Sequence, residues 1–423
     1  MKIREFLSAC YKFKEKIRVR TTIFFYYPYL KLLIRIISRR RPVRVLFYVN
    51  NLSMWKSDKL IMLLKDDSRF EPMVASMLYT KDSVARRQEL DKEISSHFSS
   101  MGISYSCGFD FSKDRLFPVS RFKADIIFYP QPYYNKLKEV SCKSLLSYIP
   151  YCFEMEKTTQ AINSLYQNIC WKYFVSTQFN KEAKSKSNYN HGVNLIVAGN
   201  PIADYFLDGH TPKCNIWPID NPDLKRIIWA PHHSILPDDW LDYSNFLDIA
   251  DQMLDLAKRY SDRIQIVFKP HPMLKEKLYR LESWGPEKTD RYYNTWRTMP
   301  NCSFADGSFV DLFMTSDAMI HDCSSFTVEY LYVNKPVLFL TRKESIGSFN
   351  EFADSCFRVH YHGASIQDIE SFIDNIINGV DPLLDKRTRF ISDTLMPSGK
   401  SSTAENIYME LCKIFDYHEH EQS

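Results

Sequence analysis

Three short polar clusters in the second half of the chain each follow an apolar run of strand type. Arg226–Ala230 leads into Pro231-His232-His233-Ser234, Ile264–Phe268 into Lys269-Pro270-His271-Pro272, and Ala318–His321 into Asp322-Cys323-Ser324-Ser325. Histidine, with an ordinary pKa of ~6.5, can hold or release a proton near neutrality. Lysine adds fixed positive charge, and serines opening a helix sit where free N–H groups and the helix dipole attract anions. Singly, each cluster has a plain reading: polar surface for His-His, a stiff loop for Lys-Pro-His-Pro, a helix cap for Asp-Cys-Ser-Ser. Their joint placement weighs more, because ligands of open parallel sheets bind beyond the carboxyl ends of the strands.

The chemistry these residues suit is the holding of a diphosphate. Lys269 and the histidines face an anion with charge and proton donors, opposite a helix start at Ser324 and Ser325. Glu329 lies four residues past Ser325, on the same helix face one turn on. A carboxylate there suits ribose hydroxyls better than phosphate. Such a site needs no metal, so neither metal nor cofactor is expected.

Other chemistries are excluded by what is missing. The 11 glycines form no Gly-x-Gly and no Gly-rich loop ending in Gly-Lys, which removes the dinucleotide fingerprint and the P-loop. Asp-x-Asp, a metal clamp of many nucleotide-sugar transferases, does not occur. Ten cysteines are scattered without a Cys-x-x-Cys pair, which signals reduced thiols in a cytosolic compartment. No apolar run reaches the 18 residues of a membrane span.

The elements that must carry the clusters follow from the pattern. With 423 residues, 45% apolar and 25% charged, the chain suggests two or three globular domains. Residues 1–44 carry a net +11 and the remainder −7. That basic arm, residues 1–41, points to an anionic surface as partner. Phe6, Cys10, Phe13 and Ile17 recur at helical spacing among lysines, and a second aromatic-rich half from Thr21 is interrupted by Pro28. Two readings are open: helices packed on the protein's own body, or an amphipathic anchor on a membrane surface. The acidic body and the lack of a reading motif argue against nucleic acid.

After Pro42, strand-like runs at Val43–Val49, Glu71–Leu78, Ala124–Tyr129, Leu145–Ile149, Tyr173–Ser176 and Leu195–Ala198 alternate with helical stretches. Proline-rich residues 208–223 read as a linker. A second alternating set, at Arg226–Ala230, Ile264–Phe268, Ala318–His321 and Pro336–Leu340, completes a two-domain α/β protein with parallel sheets. The boundaries expected are 42–207 and 224–423.

Several blocks resemble the CDP-glycerol glycerophosphotransferase family of teichoic-acid and capsule synthesis. They are Ser316 to Ser325 with Glu329-Tyr330-Leu331 and Asn334 to Phe339, preceded by Trp229 to His233, Phe268 to Pro272 and Gly199-Asn200-Pro201 with Asp204. The family's His-Gly block near the acceptor is replaced by Tyr148 to Glu154. The resemblance implies a GT-B fold of two Rossmann-like domains, acceptor on the first and nucleotide on the second. It also implies transfer of glycerol phosphate or ribitol phosphate from a CDP-linked donor to a glycan or lipid-linked acceptor hydroxyl, with release of CMP. His271 is then expected on the leaving-group side, His232 or His233 as the base with Glu154 as a substitute, and Lys269, Asp322, Ser324, Ser325 and Glu329 on the donor. The setting expected is the cytoplasmic face of the membrane. The rival readings are a GT-B glycosyltransferase using a nucleotide sugar and a non-catalytic capsule-assembly partner.

Overall fold

The structure is a computed structural model and describes residues 2–134, 140, 143–209, 211–212, 216–239, 242–307, 309–342, 347–397 and 401–418. The side chains of residues 2–13 and of Glu15, which include the expected helical face at Phe6, Cys10 and Phe13, lie outside the described set. The chain divides into two compact units, residues 1–154, 160–204 and 397–423 in the first and residues 155–159 and 205–396 in the second.

In the first unit, helix α1 (Lys2–Ile37) precedes β1 (Val43–Val49), α2 (Asp58–Asp66) and β2 (Phe70–Ser76). Strands β3 (Ser104–Ser106), β4 (Ile126–Phe128), β5 (Leu145–Tyr148), β6 (Lys172–Val175) and β7 (Leu195–Val197) follow. They form one parallel sheet in the order β3-β2-β1-β4-β5-β6-β7. Its central strands are almost wholly buried because both faces are covered, as a parallel sheet requires. The chain runs outward from β1 in one direction and from β4 in the other, so the topological switch lies between those two strands.

Helix α1 continues through Pro28 and does not split there. Proline removes one helical N–H, but Ile23, Tyr26, Leu30, Leu33 and Ile37 bury against the sheet core on both sides of it. That burial holds the helix in one piece. Its opposite face stays in solvent, with Phe24 74% and Phe25 70% exposed.

The C-terminal helix Thr403–Cys412, inside the expected second-domain boundary of 224–423, belongs to the first unit. Ala404, Ile407, Leu411 and Ile414 lie in the first unit's core. Asp204 receives the helix start, its two carboxylate oxygens accepting from the N–H groups of Thr403 and Ala404 at 2.8 Å each. Gly199 has φ +98°, and a Cβ there would meet Thr403 Oγ1 at 2.5 Å. The Gly199 to Asp204 block is thus a docking site for the returning helix.

In the second unit, β8 (Lys225–Ala230), α3 (Phe246–Arg259), β9 (Ile264–Phe268), α4 (Leu274–Arg280) and β10 (Cys302–Phe304) come first. They are followed by β11 (Ala318–His321), α5 (Phe326–Glu329), β12 (Val337–Leu340) and β13 (Tyr361–Gly363). The parallel sheet has the order β10-β9-β8-β11-β12-β13. Alternation along β8 feeds two cores: Ile227 and Trp229 pack with Phe246 and Trp296, Ile228 and Ala230 with Phe313 and Tyr330. The expected linker at 208–223 is in its described part a piece of this unit. Trp217 is buried and donates to Thr315 Oγ1 at 2.9 Å, and the Ile219 backbone exchanges two hydrogen bonds with Gln265.

The Asp204 clamp gives a stability test. An unsatisfied buried N–H costs about 1–3 kcal/mol, and Asp204→Ala leaves two. Urea unfolding should shift by about 2 kcal/mol or more, with Asp204→Asn, which keeps one acceptor, in between.

Candidate functional site

The second sheet switches direction between β8 and β11, and the loops leaving β8, β9 and β11 meet there. The β9 loop is pinned along the β8 loop by Lys269 N–H donating to Trp229 O at 2.8 Å and His271 N–H to Pro231 O at 3.0 Å. These contacts bring three rings together. Ring centroids stand 4.2 Å apart for His232–His233 and His233–His271, and 5.4 Å for His232–His271.

Burial sets their charge. His232 is pushed down to about 2 and His271 to about 3, chiefly by burial and then by the neighbouring histidines and Lys277. His233 is lowered by burial and by the Lys277 ammonium. The free site therefore presents neutral imidazoles.

The hydrogen bonds fix the tautomer as well. His232 Nδ1 accepts from the Ser234 N–H at 3.2 Å and lies 2.9 Å from Ser234 Oγ. His271 Nδ1 accepts from the Met273 N–H at 3.2 Å. His233 Nδ1 faces the Lys277 ammonium at 2.9 Å, and Lys277 is in turn paired with Asp239. A neutral ring whose Nδ1 accepts a proton donor carries its own proton on Nε2. All three rings are N–H donors at Nε2.

Three ring nitrogens within 4.8 Å of one another could by number collect a metal ion. Metal-bound imidazoles, however, donate their second N–H to an acceptor. Here each second nitrogen faces a donor, so Nε2 coordination would demand a ring with no proton at all.

Asp322 ties this cluster to the β11 loop. It is buried, and its two carboxylate oxygens accept from the His232 N–H at 2.6 Å and the Asn245 N–H at 2.7 Å. Burial raises its pKa to about 6 against the pull of those bonds. Asp322 was expected to touch the donor. Each of its oxygens accepts one backbone N–H and so ties two loops together.

Beyond it, Ser324 and Ser325 form a turn before α5, a four-residue helix that runs directly into a 3-10 turn at Tyr330–Val333. Ser325 makes no side-chain cap bond, and the N–H groups of Ser324 and Ser325 donate to no backbone carbonyl among the described residues. Glu329 ends α5 and is buried. The buried Cys323 thiol is raised first by burial, then by the charges of Asp322 and Glu329, and is lowered by Lys269. Lys269 Nζ donates to Gly307 O at 2.8 Å. His360 Nε2 donates to Thr327 O at 2.8 Å and braces the turn from below. Glu154, the substitute base, lies in the first unit and pairs with Lys184 at 3.2 Å.

The sequence profile of the family described as CDP-Glycerol:Poly(glycerophosphate) glycerophosphotransferase matches residues 152–393, more than half of the chain. No curated protein sequence matches significantly. Among solved structures, the wall teichoic acid polymerase TagF is similar at a TM-score of 0.57 and 12% identity, over 97% of this chain and 99% of that one. A UDP-GlcNAc 2-epimerase from Neisseria meningitidis bound to UDP-GlcNAc is similar at 0.56 and 15% identity, over 88% and 99%. The S. aureus MnaA–UDP structure matches at 0.54 and 14%, over 89% and 97%. At these identities the likeness concerns the fold, which is GT-B.

The lowered histidine pKa values make stability fall in acid. The unfolded rings bind protons at ~6.5, whereas the folded His232, His271, His321 and His360 do so only at about 2 to 3. Stability therefore rises with pH across that window and is fully present above it. Asp322 acts oppositely between 3.8 and about 6 but is outnumbered. Urea midpoints should drop steadily from pH 7 to 4, and less steeply in His232→Asn.

Proposed function

The chain belongs to the CDP-glycerol:poly(glycerophosphate) glycerophosphotransferase family, and on that premise we propose how it acts. It is an enzyme of the CDP-glycerol glycerophosphotransferase type. Its reaction moves glycerol phosphate or ribitol phosphate from a CDP donor to a hydroxyl of a glycan or lipid-linked acceptor, in synthesis of a teichoic acid-like or capsule polymer. The observation that carries this reading is the cluster of neutral N–H donors beside the open serine turn at the second sheet's switch point.

The acceptor oxygen attacks the phosphorus nearer the polyol, the bond from that phosphorus to the bridging oxygen breaks, and CMP leaves. Enzymes assist such transfers mainly by positioning and by stabilising charge on the phosphoryl and leaving oxygens. Ser324, Ser325 and Lys269 hold the diphosphate, and Glu329 takes the ribose hydroxyls. His271 donates its Nε2 proton bond to the leaving side, where the stiff Pro270 and Pro272 flank it. His232 and His233 also act as donors, because neither has a free lone pair to take the acceptor proton in this tautomer. That proton passes to a solvent water molecule late in the step, once bond formation to phosphorus has made the oxygen acidic. The donor polarity at each Nδ1 also supports a metal-free site.

A peripheral position on an anionic membrane surface is part of the reading. Among the described residues no helix is long and apolar enough to cross a membrane. The outer face of α1 instead exposes Ile17, Phe24, Phe25, Leu32 and Ile36 beside Arg18, Lys31 and Arg35. An apolar stripe with basic flanks suits an interfacial helix, each cation adding about 1 kcal/mol near anionic lipid. Because the other face of α1 is core, point substitutions test this better than deletion.

Incubation with CDP-glycerol, CDP-ribitol and nucleotide sugars over lipid-linked primers, in excess EDTA, should release CMP with a polyol donor only. Loss of one such donor group costs about 100- to 1,000-fold in kcat, so His271→Ala should fall that far while CMP binding persists. Release of a nucleoside diphosphate from a nucleotide sugar would instead mark a glycosyltransferase. Glu329→Ala should weaken CMP and CDP-glycerol alike, since both carry the ribose; weakening of the donor alone would put the carboxylate on the polyol. Phe24→Asp with Phe25→Asp should lower binding to phosphatidylglycerol vesicles by about tenfold, for a loss near 1.4 kcal/mol, and leave turnover on a soluble acceptor intact.

A further inference from the structure

Residues 155–159 lie between β5 and β6 in sequence but fold with the second unit. They form a strap along residues 347–350, which lead into the helix Glu351–Phe357. Glu156 and Phe349 make an antiparallel bridge, Lys157 N–H donates to Ser348 O at 2.9 Å, and Asn350 N–H donates to Met155 O at 2.8 Å. Lys157 Nζ adds a bond to Gly347 O at 2.9 Å. Met155 and Glu156 are buried. A buried carboxylate is costly unless it is bonded, and Glu156 finds its bonds in two hydroxyls. Thr159 Oγ1 donates to Oε2 at 3.2 Å, and Tyr243 Oη, 87 residues further along, reaches Oε1 at 3.5 Å.

We propose that Tyr243 is a positioning residue for His232 and that Glu156 of the strap sets where Tyr243 stands, which rests on the phosphotransfer reading for what His232 does in turnover. Tyr243 meets His232 by two routes. Its ring lies 5.4 Å from the imidazole between centroids and is stacked on Phe349 at 5.1 Å. Its backbone N–H donates to Ser234 Oγ at 2.9 Å, joined by the Ser244 N–H at 3.2 Å. A hydroxyl oxygen that accepts two N–H groups has only its own hydrogen left to give. That hydrogen goes to His232 Nδ1, 2.9 Å away. Ser234 is thus a one-way donor, and the Tyr243 backbone helps to make it one.

The phenol end of Tyr243 is what the strap controls. Tyr243 is 2% exposed, so its hydroxyl depends on protein partners. Burial first, and the Glu156 charge second, raise its pKa, with Ser348 as a further partner. The phenol therefore keeps its proton and donates. Phe349, the bridge partner of Glu156, sets the ring plane and is itself packed on Phe357 at 4.8 Å. A donor at a reacting centre must stand within about 0.5 Å of its working position. Asp322 holds the backbone of His232. Tyr243 holds the ring, on the authority of a segment outside the histidine loops.

The test compares Tyr243→Phe, Glu156→Ala, Glu156→Gln and the double variant Tyr243→Phe with Glu156→Ala, each in the full-length protein. Tyr243→Phe keeps the ring, the Phe349 stack and the backbone N–H, and removes only the hydroxyl, so it reports even if Glu156→Ala unfolds. With circular dichroism unchanged, kcat for CMP release from CDP-glycerol should fall about tenfold in Tyr243→Phe and about threefold in Glu156→Ala. KM for CDP-glycerol and affinity for CMP should stay near their wild-type values. The double variant should be no slower than Tyr243→Phe alone, since the two groups act through one contact. Glu156→Gln, which keeps an oxygen acceptor, should restore most of the rate. In histidine-labelled protein, the ¹⁵N and ¹H signals of His232 Nε2–H should shift in Tyr243→Phe. Unmoved His232 signals, an unchanged kcat in Tyr243→Phe, or multiplied losses in the double variant would each overturn the proposal. Failure of the wild type to release CMP from CDP-glycerol would count against phosphotransfer, and the His232 signals would then decide the positioning by themselves.

Discussion

One buried carboxylate holds the second unit's rim together. Asp322, at the end of β11, accepts backbone N–H groups from the β8 loop at His232 and from the start of α3 at Asn245. Three chain segments that are far apart in sequence are thereby fixed at the sheet's switch point. Removing one partner of such a buried, bonded charge leaves the rest uncompensated, which is why the group costs so much to lose. The histidine loop, the serine turn and the entry of α3 all take their positions from it.

The polarity of the histidine cluster follows from that frame. Each ring's Nδ1 meets a donor close in sequence or on a neighbouring helix, and this leaves Nε2–H as the functional atom on every ring. Burial keeps the rings neutral, so on the proposed reading an anion meets oriented N–H dipoles together with the charge of Lys269. A preorganised set of donors is an efficient way to stabilise charge that develops during reaction. Lys277 and Asp239 serve the same end at one remove, by fixing the tautomer of His233.

How much could be read in advance depended on the range of the interaction. Fully buried strands such as Ile264–Phe268 and Ala318–His321 are legible because a parallel sheet demands mostly apolar runs. Strands β3, β10 and β13 are three residues each and lie at or near the sheet edges, as Ser104-Tyr105-Ser106 does, and they carry no such pattern. The loops after β8, β9 and β11 stood out by composition, and the structure brings their three histidines together. Asn245, Asp239, Lys277 and His360 did not stand out, since nothing local distinguishes an asparagine before a helix or a lysine inside one. A return of the last helical stretch to the first unit was one open reading of the sequence, and what decides it, the bonding of Thr403 to Asp204, exists only in three dimensions. Proline at position 28 misled for a related reason: local propensity marks a break, and core packing on either side of it overrides the mark.

The most direct test of the account is the protonation of the three rings in the working site. Long-range ¹⁵N–¹H spectra of histidine-labelled protein at pH 7, free and with CDP-glycerol, report each nitrogen separately. The account predicts that His232, His233 and His271 are all neutral in the free protein, protonated at Nε2 and bare at Nδ1, and that their Nε2–H signals shift on addition of the donor. A ring found charged, or protonated at Nδ1, or three rings left unmoved by CDP-glycerol, would contradict it.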